Sequence, residues 1–192
     1  MKKIVAMILG ILIIGTCTSC TKENTLFDRI STAEEALTAS KKGSAVVFED
    51  LKCTAGDKIW DEFYQTVCKG EAASVLCAHY YTLDKGSVSD ELYEAEKDLY
   101  PMLFFYTIEY DGNKFTVTVR QSTEKEPEYE EQFKYLMHYT GDAPVLASYS
   151  SYDDYVLVDD PTVTREEIMA GIVSSQPGAG AKHYFIYRNT FD

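Results

Sequence analysis

The stretch PMLFFYTIEYDGNKFTVTVR, residues 101–120, decides how the rest of the chain is read. Two apolar runs are joined through Tyr110-Asp111-Gly112-Asn113. An Asp-Gly pair between alternating runs is a strong hairpin signal, because a type I′ turn needs positive φ at both central residues. With Asp111 and Gly112 as a two-residue loop, Ile108 faces Phe115, Tyr106 faces Val117, Phe104 faces Val119 and Glu109 lies opposite Lys114. A slip of one residue would send every side chain to the other face. The first arm also carries Leu103 and Phe105 on its second face, so burial on both sides, as in a central strand, is expected.

Working outward toward the N-terminus, residues 89–99 form a charged segment that suits a short helix capped by Ser89. Residues 73–83 are strand-like. Over 57–69 the spacing turns helical: Ile59, Phe63 and Val67 lie four apart, Trp60 and Tyr64 widen the face, and Gly70 ends the helix. Such an aromatic stripe packs a helix on a sheet rather than holding a cofactor. Further upstream, 44–48 reads as a strand. Before it comes a helix opened by a Ser31/Glu34 capping box, striped by Ala33, Ala36 and Leu37, and closed by Gly43 after Lys41 and Lys42.

Toward the C-terminus, Glu124, Glu126, Glu128, Glu130 and Glu131, broken by Pro127, read as a solvated loop. Strand character resumes over 133–139 before a turn at Gly141-Asp142. A tyrosine-rich segment leads into the strand 155–158, which stops at Asp159-Asp160-Pro161. Thr164 and Glu167 then cap a helix whose buried face is Ile168, Ile172 and Val173. A loop over 174–180 and a strand over 183–188 close the chain. The expectation is one α+β domain, residues 27–192: a mainly antiparallel sheet of about six or seven strands with three to four helices packed against it.

Residues 1–19 are outside that domain. Lys2 and Lys3, an apolar run over 4–14 and small residues over 16–19 have the layout of a secretory leader. It ends at Ser19-Cys20, the junction of a bacterial lipoprotein signal, in which the Cys20 thiol takes a diacylglyceryl group and cleavage leaves it first. Cys17, where a leucine is usual, is the runner-up, and a plain cleaved leader or an uncleaved anchor is the alternative. Residues 20–26 are then the lipidated cysteine and a short linker, whose polar part (21–25) reaches about 12 Å as a flexible chain.

With 31 acidic against 18 basic residues among 192, the net charge is -13, and losing Lys2 and Lys3 makes it more acidic. Nucleic acid is excluded as a partner for want of a basic footprint, and anionic lipid surfaces repel the domain. At 45% hydrophobic residues the chain can bury a full core.

The order Gly43, Val46-Val47, the helix carrying Trp60 and Phe63, Tyr110-Asp111-Gly112, the stretch 133–136, Gly141 and Tyr155-Val156-Leu157-Val158 resembles a family of small, uncharacterised Gram-positive lipoproteins. The resemblance implies a cell-surface lipoprotein with a domain of unknown function, and it carries over no functional residue.

No cofactor or metal is expected. His79, His138 and His183 lack the helical spacing of a zinc protease, and no cysteine or carboxylate cluster flanks them. Asp153, Asp154, Asp159 and Asp160 lack the alternation of a calcium loop. Cys53, Cys68 and Cys77 are an odd set, with one disulfide possible, and Cys77 shares a strand face with His79 as a Cys-His nucleophile would. Two functional classes remain. The first is a lipid-anchored binding module, its partner-binding residues Tyr149, Tyr152, Asp153, Asp154 and Tyr155, since tyrosine offers rigid contact area with a polar tip. A protein, peptide or glycan fits that surface. The second is a small extracytoplasmic enzyme with a His- or carboxylate-based site.

Overall fold

The computed structural model describes residues 32–191 except 44, 51, 125, 145, 146, 148, 175 and 177–179, so the leader, Cys17, Cys20 and the linker lie outside the described residues. In chain order the elements are α1 (Ala33–Lys42), β1 (Ala45–Glu49), β2 (Lys52–Ala55), α2 (Asp57–Cys68), β3 (Ala73–Tyr81), α3 (Asp90–Glu96) with a 3-10 turn (Lys97–Leu99), β4 (Met102–Tyr110), β5 (Phe115–Gln121), β6 (Tyr129–Phe133), β7 (Tyr135–Asp142), β8 (Ser151–Val158), α4 (Arg165–Val173) and β9 (His183–Phe191). Among the described residues, four α-helices and nine strands in two mostly antiparallel sheets make an α+β fold. None of the described helices is long and apolar enough to cross a membrane.

The 101–120 stretch is the β4–β5 hairpin, two residues out of the expected register. Tyr110 pairs with Phe115, Ile108 with Val117, Tyr106 with Val119 and Phe104 with Gln121. The loop is therefore 111–114 rather than Asp111-Gly112 alone. The Asp111 carboxylate accepts the backbone N–H of Asn113 at 2.8 Å and of Lys114 at 2.9 Å, and the Asp111 N–H donates to the Lys114 carbonyl. That side chain closes a wider turn in which Gly112 has a φ of 95° and Asp111 does not become positive. A shift of two keeps parity, so Ile108 and Val117 still share the core face. Gly112→Val is expected to cost about 1 kcal/mol, because a β-branched residue resists this φ while an added Cβ meets nothing nearer than the Gly70 carbonyl at 3.5 Å. An unchanged urea midpoint would overturn that role for Gly112.

The larger sheet runs β2-β1-β3-β4-β5-β6 and the smaller β7-β8-β9. Only β1 and β3 are parallel, and β2 with α2 supplies the crossover such a pair requires. The expected single sheet is divided because the chain leaves the larger one at Lys134, whose N–H donates to the Val158 carbonyl at 3.2 Å. The main core lies between the sheets: Phe48, Cys77, Ile108, Val117 and Phe133 from the larger, Trp60 and Phe63 from α2, and Tyr155, Leu157, Ile186 and Tyr187 from the smaller. On the other side of the larger sheet Val47, Ala78, Leu103 and Phe105 pack with Ala36 of α1, so β4 is buried on both faces as expected. Outside the smaller sheet Val156 and Val158 pack with Val163 and Ile168.

Several boundaries move. The α1 cap is Thr32, accepting from the Glu35 N–H at 3.2 Å, not the expected Ser31/Glu34 box; Ser31 is outside the described residues. Ser89 caps α3, and Thr164 with Glu167 forms a complete capping box on α4. Ile172 and Val173, expected inside, are 50% and 80% exposed, because the cluster that receives α4 reaches only to Ile168. Glu130 and Glu131 belong not to a loop but to β6, an edge strand whose charges guard it against further pairing. Gly141 and Asp142 do not turn; they pair with Tyr152 and Ser151.

Candidate functional site

Alternation along β8 splits four of the five tyrosine-segment residues between two environments, Tyr149 lying just before the strand. Tyr155 faces the main core, 7% exposed, edge-on to Trp60 at 5.0 Å and to Tyr64 at 4.9 Å and stacked on His138 at 4.0 Å. Asp153, on the same face, meets His138 Nε2 at 2.6 Å. Tyr152 and Asp154 face α4, and Asp154 has no exposed surface at all. A contact surface for a partner therefore loses Asp154 and Tyr155, which are interior, and keeps Tyr149 and Tyr152, both half-buried.

Asp154 is interior because cations come to it. Its Oδ2 accepts from Arg165 Nε at 2.7 Å, and its Oδ1 lies 3.5 Å from Arg188 Nε without a hydrogen bond of its own among the described residues. Arg165 is 5% exposed. Burial by itself would lower its guanidinium, but the Asp154 carboxylate and the Tyr149 hydroxyl outweigh that and hold it raised. The charged plane of Arg165 lies 3.5 Å from the Tyr152 ring centroid. The Tyr152 hydroxyl also lies against Gly141, where a Cβ would stand 2.8 Å from it. Tyr152 is thus held at its ring by a buried cation, a cation–π contact in its stronger, desolvated range, and at its hydroxyl end in the space a glycine leaves.

Tyr152 and Arg165 line a groove of about 390 Å³. Tyr149, Pro144 and Met169 line it too, together with the exposed acidic residues Asp142 and Glu166. Sequence reasoning had the two tyrosines but not Arg165, Arg188, Gly141, Asp142 or Glu166. One signal was present: an arginine directly after the Thr164 cap opposes the helix dipole, which favours acidic residues there.

The histidines stay apart. His183 Nδ1 lies 2.8 Å from the Ala181 carbonyl. His79 stacks on Phe48 at 4.6 Å and meets Tyr106 at a tilt at 4.2 Å, with Nε2 lacking a hydrogen bond among the described residues. None of the three lines the grooves seen among the described residues. Burial pushes His79 down to about 4 and pushes the Cys77 thiol up, so the imidazole is a weakened base and the thiol holds its proton, which disfavours the thiolate a nucleophile needs. Cys53, bonded to Asp57, is pushed up to about 12, first by burial. All three described cysteines are free. The four aspartates of the expected calcium comparison also separate, Asp159 to Lys182 and Asp160 to Thr162, and among the described residues no three His, Cys, Asp or Glu converge on a metal position.

His79 has a consequence for stability. Its folded-state value lies below the unfolded 6.5, so the unfolded chain binds more protons between those values and stability falls as pH drops through that window. Between pH 7 and pH 5 the loss attributable to His79 is about 2 kcal/mol. His79→Phe, which keeps the stack on Phe48, is expected to flatten that part of the pH profile in urea unfolding; an unchanged slope would assign it elsewhere.

No family model, no curated protein and no solved structure matches this chain.

Proposed function

We propose that the protein is an extracytoplasmic lipoprotein, anchored to the cell membrane through Cys20, whose domain binds an extended, positively charged peptide segment in the Tyr149–Tyr152 groove. The observation that carries this reading is the hold on Tyr152: an aromatic wall fixed before the ligand arrives, which spares the ligand the cost of ordering it. The Asp142 and Glu166 carboxylates suit a lysine or arginine, and a net charge of -13 draws basic chains in at long range, most strongly at low salt. The Arg165 charge does not oppose this, because Asp154 offsets it.

The groove is tested by titrating the domain with a lysine-rich decapeptide, its glutamate counterpart and a neutral oligosaccharide, at low and high salt. The lysine peptide is expected to bind tightest, to weaken with salt, and to lose about tenfold in Tyr152→Ala and in Glu166→Gln. Equal affinity in both variants, or preference for the oligosaccharide, sinks the peptide reading. The anchor is tested separately. Cys20→Ala is expected to release the domain into the medium or trap the precursor, and lipidation intact in that variant but lost in Cys17→Ala would move the anchor upstream.

A further inference from the structure

A second pocket, of about 290 Å³, opens where α1, the end of β3, α3 and the entry to β4 meet. Tyr80, Tyr93 and Tyr100 line it together with Thr82, Leu83 and Pro101, and the charged residues in its lining are Glu34 and Lys97. Tyr80 comes from β3, Tyr93 from α3 and Tyr100 from the connection before β4, so three separate parts of the chain converge on this space. Lys97 brings little net charge, since its ammonium is held 2.5 Å from the Glu94 carboxylate. Glu34 is therefore the charge that faces the cavity, and the field beyond it has the same sign. Burial, then Glu34, Glu49 and Asp50, raise the Tyr80 hydroxyl. Asp50 is fixed there by accepting from the Thr82 N–H at 2.9 Å and the Thr82 hydroxyl at 2.6 Å, at the cost of a φ of 47°. The protein already rests one of its own cations on this aromatic set: Lys85 Nζ lies 5.3 Å from the Tyr93 centroid.

Aromatic faces with one carboxylate attract a cation through ring quadrupoles but give few oxygen acceptors. A primary ammonium or a metal ion needs such acceptors, whereas a group whose charge is wrapped in methyls does not. We propose that this pocket binds an alkylated ammonium group, its methyls against Tyr80, Tyr93 and Tyr100 and its charge offset by Glu34. It is a site separate from the groove, and neither depends on the other.

The test is a calorimetric titration of the domain with choline and with 3,3-dimethyl-1-butanol, the uncharged carbon isostere of choline. Choline is expected to bind at least about tenfold tighter than the alcohol, because only the cation gains from the rings. Tyr93→Leu and Glu34→Gln are each expected to weaken choline about fivefold or more. Glu34 is exposed on α1, so its variant keeps the fold if Tyr93→Leu does not. Phosphatidylcholine vesicles identify the source: binding of choline alone assigns a free solute, binding of both assigns a headgroup, and either supports the site. Equal binding of choline and the alcohol, choline affinity unchanged in Glu34→Gln, or no heat from choline at millimolar concentration overturns the proposal.

Discussion

Asp154→Ala is expected to destabilise the protein by about 3 to 5 kcal/mol, the range for removing one partner of a buried ion pair. The carboxylate is wholly buried and Arg165 is 5% exposed, so the substitution strands a guanidinium left with the Tyr149 hydroxyl at 3.5 Å and the Tyr152 ring. Urea unfolding reads the loss, and the melting temperature is expected to fall by about 10 °C. A drop under about 1 kcal/mol would show that water or a moved side chain replaces the carboxylate. The double variant Asp154→Leu with Arg165→Met removes both charges and is expected to recover most of the stability, since well-packed apolar residues replace such pairs at little cost. It also takes the cation from beneath Tyr152. Stability restored while the lysine peptide of the groove assay still binds weakly would separate the fold's use of Arg165 from the groove's use of it.

Gly56→Ala is expected to cost about 3 kcal/mol, several times what the same type of change costs in an open turn. Gly56 has a φ of 91°, which alone disfavours a side chain by roughly 1 kcal/mol. The larger part is steric. An added Cβ would stand 2.5 Å from the Ala45 carbonyl oxygen and 2.7 Å from Val46 Cα, which are backbone atoms of a buried strand and cannot swing aside, and such overpacking costs about 1 to 3 kcal/mol. Gly112, at a similar φ of 95° with open space around it, is the control. Gly56 also starts α2, its carbonyl accepting the N–H of Ile59 at 2.9 Å and of Trp60 at 3.1 Å. A displaced Gly56 therefore moves the single tryptophan of the chain, 2% exposed in the core. The expected result is a lower urea midpoint with red-shifted tryptophan emission; neither changing would mean that β1 yields.

What was legible in the sequence is what short-range periodicity determines. The stripe Ile59, Phe63 and Val67 located α2, and the alternation through 101–120 placed a central hairpin and both faces of β4, because these patterns depend on a residue and its near neighbours. The loop between the arms was misjudged because the Asp111 carboxylate, not the Asp-Gly dipeptide, chose its length. The Ser31 cap and the Thr32 cap differ by one residue and have nearly the same chemistry, so local composition does not separate them. Asp154 is the harder case. Among serines, aspartates and tyrosines it reads as a solvated carboxylate, and only the fold brings in Arg165, eleven residues on, and Arg188 from β9. The division into two sheets was equally out of reach, since 129–142 is nearly continuous strand and a backbone bond from Lys134 decides where the chain changes partners.

Every strand of the larger sheet lies before Lys134 and every strand of the smaller one after it. A chain made amino end first can therefore finish its larger sheet while residues 135–191 are still being synthesised. At ordinary synthesis rates that interval lasts about 3 to 12 s. During it Phe48, Ile108, Val117 and Phe133 have α2 as cover but not Tyr155, Leu157, Ile186 or Tyr187. The newborn molecule thus carries a broad sticky face that the mature one hides, and a holdase or a sister chain reaching it in those seconds competes with the protein's own last third.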